Sequence, residues 1–158
     1  MRRTTSGGPT TAEGKCDPPL VATTLADQLR TQHANICAQA APGRAALEQI
    51  VREYLSAQHR DNPDDGCPSA ALLDEIGRSR DATRQAYTDS LLVLVDEIAA
   101  RLAPDDPPSA RVKALSLLAL LAGTLQLSRA IADRQLSDQL LEQGIHDTLA
   151  LIGPEQHS

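Results

Sequence analysis

Three places in this 158-residue chain hold residue types that could do chemistry. Cys67 stands just before Pro68, where a short helix is expected to begin. At that position the helix dipole and unpaired backbone N–H groups favour a thiolate, which would suit a thiol sensor of oxidants or electrophiles. Asp64 and Asp65 beside it oppose that charge, so packing of a small buried cysteine at a turn is the favoured reading. His33 and Cys37 share one helical face, the spacing of a metal-ligand pair. Two ligands do not make a site, and no second pair matches. The stretch 61–66 has the outline of a calcium loop, but Pro63 takes a ligand position and the twelfth residue is Leu72, not Glu. No metal and no cofactor are expected. No Gly-x-Ser-x-Gly, phosphate-cradling glycine loop or HExxH occurs, so the chain is not expected to be an enzyme.

The elements around these residues are helical. Phe and Trp are absent and Tyr54 and Tyr87 are the only aromatics, so Leu, Ile, Val and Ala must fill the core. That composition favours helix on helix. Residues 1–19 are Thr-, Ser-, Gly- and Pro-rich and read as a disordered leader. A helix is expected over 20–39, with Val21, Leu25, Leu29 and Ile36 on one side and Pro42-Gly43 ending it. Leu47, Ile50, Val51, Tyr54 and Leu55 follow the helical repeat most cleanly. The segment 59–66 reads as a polar loop that includes His59. A short helix follows over 68–77, with Leu72, Leu73 and Ile76, and then a long one over 79–102, with Tyr87, Leu91, Leu94, Val95, Ile98 and Leu102. Ser109 is the expected cap of the fifth, running to about residue 133, and Ser137 of the last, which Gly153-Pro154 stops. The class is all-α, a bundle of about six helices, with one domain over 20–153 and a tail over 154–158.

The Ala/Leu-rich run over 114–127 leaves neither helical face polar, whereas a surface helix keeps one apolar stripe about 100° wide. Leu117, Leu120, Leu127 and Ile131 mark one face, and Leu118, Leu121 and Leu125 another. A helix apolar on two sides needs two partners, the chain's own core and a second copy. The run is shorter than the roughly 18 apolar residues of a membrane span, and Arg111, Lys113 and Arg129 bracket it. A net charge of −6 argues against nucleic-acid contact. Three widely spaced cysteines and a polar N-terminal stretch fit a cytoplasmic protein.

The order of helices, with these residues, resembles the C-terminal regulatory domain of a tetracycline-repressor-like (TetR) transcriptional regulator. The run from Arg44 to Ser56 (RAALEQIVREYLS) is similar to that family's first long helix after its connector. Asp65-Gly66-Cys67-Pro68, then Leu72-Leu73-Asp74-Glu75-Ile76, is similar to the turn into the next helix. Ala110-Arg111 through Ala130-Ile131-Ala132-Asp133, then Leu136-Ser137 onward, is similar to the final helix pair. The resemblance implies a homodimer built by the last two helices, placing Leu118, Leu121, Leu125, Leu141, Ile145 and Leu149 at the interface. It implies a pocket for a small apolar effector among the middle helices, lined by Tyr54, Leu73, Ile76, Tyr87 and Leu91. Such regulators begin with a three-helix DNA-reading head whose recognition helix carries a Tyr-x-His-Phe segment. Nothing of that kind stands between Met1 and Pro19. The expectation is therefore an effector-sensing, dimerising domain without its own head. The alternatives are a heterodimerising modulator of a full-length regulator and a ligand-free helical interaction module.

Overall fold

The computed structural model describes residues 43–62 and 68–153. The leader 1–19, the expected 20–39 helix with His33 and Cys37, Cys67 with its neighbours 63–66, and the tail 154–158 lie outside the described residues. Among the described residues the chain is an all-α bundle of six helices with no strand. They are α1 (Arg44–Tyr54), α2 (Ala57–Asp61), α3 (Pro68–Arg78), α4 (Asp81–Leu102), α5 (Pro107–Ala130) and α6 (Arg134–Ile152).

Local chemistry explains most of the boundaries. Gly43 precedes α1 at φ 98° and Gly153 ends α6 at φ 87°, a left-handed backbone that glycine adopts without a Cβ clash. The first residues of the polar loop expected over 59–66 belong instead to α2, a single helical turn. Ser56 makes it: its Oγ accepts from His59 N–H at 3.1 Å, an N-cap the sequence reading passed over. Ser79 does not open α4, because its hydroxyl donates to the Ile76 carbonyl at 2.7 Å and closes the end of α3. Nor does Ser109 cap α5. Pro107 already lies in the first turn, where its missing N–H costs nothing and its fixed φ suits the helix. The cap of α6 is Asp133, whose carboxylate accepts from Gln135 N–H at 2.9 Å and Leu136 N–H at 3.2 Å. Ser137 lies inside that helix with only 1% of its surface exposed.

The helix α5 sits at the centre, packed most extensively against α4 and α6, with α1, α2 and α3 leaning on it. The core joins Leu47, Val51 and Leu55 to Leu94, Val95, Ile98 and Ala99 of α4, Ala114, Leu117, Leu121 and Leu125 of α5, and Leu141 and Ile152 of α6. Where α5 meets α6 the packing is close and polar. A Cβ built on Gly144 would stand 2.5 Å from Thr124 Cγ2, so glycine is what lets the two helices approach there. Three hydroxyls in this seam find carbonyls. Ser137 Oγ donates to Ser128 O at 2.7 Å, Ser128 Oγ to Leu125 O at 2.8 Å, and Thr148 Oγ1 to Gly144 O at 2.6 Å. Satisfied in this way, they avoid the penalty of burying a bare polar group. At the far end of the pair Lys113 Nζ donates to the Ile152 carbonyl at 3.1 Å, occupying one acceptor at the C-terminus of α6.

Candidate functional site

Two faces of α5 have different fates. Steps of three and four residues put Ala110, Ala114, Leu117, Leu121, Thr124, Leu125 and Ser128 on the inner side, all buried. Leu117 therefore shares a face with Leu121 and Leu125, unlike the partition expected from the sequence. The opposite side carries Val112, Leu115, Ser116, Ala119, Gly123, Leu127 and Ala130, every one exposed. Val112 is 75% exposed, Leu127 54% and Leu115 39%. No charged residue occurs from Ala114 to Ser128, on either face. By length and composition α5 would also suffice to cross a membrane, although the apolar run alone is shorter. Core helices pass the same test, and the inner face of α5 is packed against α4 and α6.

Three of the six residues assigned to a copy-to-copy interface lie in the chain's own core. Leu121, Leu125 and Leu141 are 5%, 0% and 4% exposed and belong to the chain's own core. Leu118, Ile145 and Leu149 are partly buried and pack against that core. The outward side of α6 is mixed, with Gln139, Glu142, Gln143, His146 and Asp147 exposed. Leu136, at its start, is 51% exposed.

The corner between α5 and α6 is fastened to α2 by arginines. The Arg60 side chain is 3% exposed, and its guanidinium donates to Ser137 Oγ at 2.8 Å, Asp138 Oδ1 at 2.5 Å and Asp61 Oδ1 at 2.9 Å. Asp61 and Asp138 hold its pKa above the ordinary arginine value. Arg129, in the last turn of α5, donates to the carbonyls of His59 at 2.9 Å and Arg60 at 3.2 Å. Arg134 closes the ring with a two-pronged bond to Asp61. Hydrogen bonds from Arg60 and then Arg134 hold the Asp61 carboxyl below its usual range. Sequence reasoning missed this clasp entirely, since no local spacing marks an arginine for burial.

The residues expected to line an apolar pocket are not gathered around one. Tyr54 and Leu91 pack against the core, Ile76 is buried at 6%, Tyr87 is partly buried, and Leu73 is 37% exposed. A cleft of about 670 Å³ lies instead along α1 and α2, lined by Ala45, Glu48, Gln49, Arg52, Glu53, Ser56, Gln58, His59 and Asn62. None of the five expected residues lines it; eight of its nine lining residues carry polar or charged groups, but the surface they present to the cleft is largely aliphatic. His59 is its most constrained member. The ring meets Tyr54 edge to face with centroids 4.8 Å apart, and Nδ1 lies 2.7 Å from the Tyr54 carbonyl, which only a protonated Nδ1 can serve as donor. Burial pushes the imidazole pKa below its usual value; the Tyr54 carbonyl opposes that shift and the Arg129 charge adds to it. Among the described residues no group of His, Cys, Asp and Glu is placed to hold a metal ion. No protein-family model, no curated protein and no solved structure matches the chain.

Proposed function

We propose that this chain is a self-associating regulatory module, the effector-sensing and dimerising domain of a TetR-like transcriptional regulator. The observation that carries the reading is the outer face of α5, an exposed, charge-free and largely apolar strip on a helix whose other side is already buried. Contiguous exposed apolar surface of this kind marks an interaction site. The helix order and the residues quoted for the family support the regulatory half of the reading. An effector taken up by the α1–α2 cleft would combine apolar surface with polar groups that meet the glutamate, arginine, glutamine and histidine side chains lining it. Sedimentation velocity of the full chain tests self-association: a dimer is expected, and a monomer at all concentrations would overturn it. A gel-shift competition tests regulation. Excess of this chain should lower operator occupancy by a full-length TetR-like regulator from the same genome, through mixed dimers. Unchanged occupancy would leave a helical interaction module as the better description, its partner seated on the same strip.

A further inference from the structure

We propose that His59 and Arg129 form a proton-released latch: when the imidazole takes up a proton, Arg129 lets go of α2, while the fastenings made by Arg60 and Arg134 hold. The inference adds a regulatory device to the wall of the α1–α2 cleft and does not depend on self-association.

His59 stands where the cleft and the arginine clasp meet. Its ring lines the cleft, and its backbone carbonyl is one of the two that Arg129 holds, at 2.9 Å. Its backbone N–H is tied to Ser56 Oγ at 3.1 Å. Because Nδ1 already carries the hydrogen that meets the Tyr54 carbonyl, 2.7 Å away, an incoming proton must go to Nε2. Protonation then makes the Nδ1 bond charge-assisted and stronger. The ring therefore stays against Tyr54 instead of swinging into solvent. A half-buried imidazolium is left beside a guanidinium, and the partner that can move gives way.

Arg129 is that partner. Both of its hydrogen bonds go to neutral carbonyls, those of His59 and Arg60, and it forms no ion pair among the described residues. It is partly exposed, so its guanidinium can turn toward water. The other two arginines are placed differently. Arg60 is bound to Asp61 and Asp138, and Arg134 to Asp61. The Asp61 carboxyl, held below its usual range, stays ionised throughout the interval in which histidine titrates.

The remaining charges around the ring do not reverse this outcome. Across the cleft α1 contributes Glu48, Arg52 and Glu53. Glu48 is taken by Arg44 at 3.0 Å and Glu53 by the Gln49 amide at 2.8 Å, and Arg52 adds a positive charge to the same wall. The Tyr54 phenol is neutral in this interval. Burial and then the charge of Arg129 oppose a proton on the ring. Linkage is reciprocal: if a held Arg129 disfavours the proton, the proton disfavours a held Arg129 by the same factor.

The test follows the side-chain Nε–H protons of Arg129 and Arg60 by NMR in the full chain, as protection against exchange relative to free arginine at the same pH. Arg129 Nε–H meets the Arg60 carbonyl at 3.2 Å and Arg60 Nε–H meets Asp61 Oδ1 at 2.9 Å, so each proton reports its own fastening. Between about pH 7.5 and about pH 5 the Arg129 protection should fall at least several-fold, while that of Arg60 stays within about twofold. In His59→Asn, whose amide nitrogen can still serve the Tyr54 carbonyl, the Arg129 protection should no longer depend on pH. Constant Arg129 protection in the parent chain would overturn the latch. So would a fall shared equally by Arg60, or one that persists in His59→Asn. The comparison of the two arginines within the parent decides the matter even if the variant fails to fold.

Discussion

Arg60 Nη1 donates to Ser137 Oγ at 2.8 Å, a bond between residues 77 positions apart in the chain. Both side chains are buried, and the bond ties a single-turn helix to the start of the last one. Replacing Arg60 with alanine strips the hydrogen bonds from Ser137 and Asp138 and leaves a space beneath α2. Asp138 is half exposed and regains water, which limits the damage. The expected cost is about 2–3 kcal/mol of folding stability, read by urea denaturation. A loss below about 0.5 kcal/mol would mean that the clasp is decorative.

Gly144→Ala sets two effects against each other. Alanine is the better helix former by about 1 kcal/mol, but its Cβ would stand 2.5 Å from Thr124 Cγ2. Because Thr124 is itself buried and cannot swing away freely, overpacking should win by about 1–3 kcal/mol. Adding Thr124→Ser removes the obstructing methyl group and should recover most of that loss. Failure of the serine to rescue would put the strain elsewhere, for instance at Leu55, whose Cδ1 is 3.3 Å from the same point.

Leu125 and Leu127 are near neighbours in sequence with opposite surroundings. Leu125 is fully buried and Leu127 is 54% exposed. Leu125→Ala should cost about 3 kcal/mol through lost burial and the cavity left behind. Leu127→Ala, measured at a concentration where the chain is monomeric, should change stability by less than about 0.5 kcal/mol. Equal losses at the two positions would contradict the assignment of inner and outer faces.

His59 provides the pH test. Its folded-state pKa lies below the unfolded value of 6.5, so the fold prefers the neutral ring. Stability from this source is complete above pH 6.5 and declines as the pH falls from there toward the folded-state pKa. Asp61 acts lower, since its folded pKa is depressed below 3.8 and its contribution is lost only as the pH falls below that. Melting temperatures at pH 7.5 and 5.5 therefore isolate the histidine. The parent chain should lose more than His59→Gln does over that interval. An equal loss in both would assign the effect to another group.

The all-α class was legible because alanine and leucine dominate and the helical repeat is unbroken along α1 and α4. Pro68, Gly43 and Gly153 marked helix ends for simple backbone reasons. What stayed hidden depended on partners distant in sequence. Ser137 looks like a cap because serine is a good one, but only folding shows that Asp133 takes the role and Ser137 faces Ser128 and Arg60. The two-sided character of α5 was readable, but which leucines face in was not. With leucines at 115, 117, 118, 120, 121, 125 and 127, apolarity alone cannot orient the helix. The buried alanines and hydroxyls at 110, 114, 124 and 128 decide it.

The span between Arg60 and Ser137 also sets an order of assembly. The helices α4, α5 and α6 follow one another through short links, so their mutual contacts close small loops and form early. Joining α2 to the α5–α6 corner closes a far longer loop, with a larger entropic cost. The clasp should therefore be absent at the folding transition state and complete only afterwards. Its loss would leave the folding rate nearly unchanged and speed unfolding. Arg60 thus governs how long the native state lasts rather than how fast it is reached.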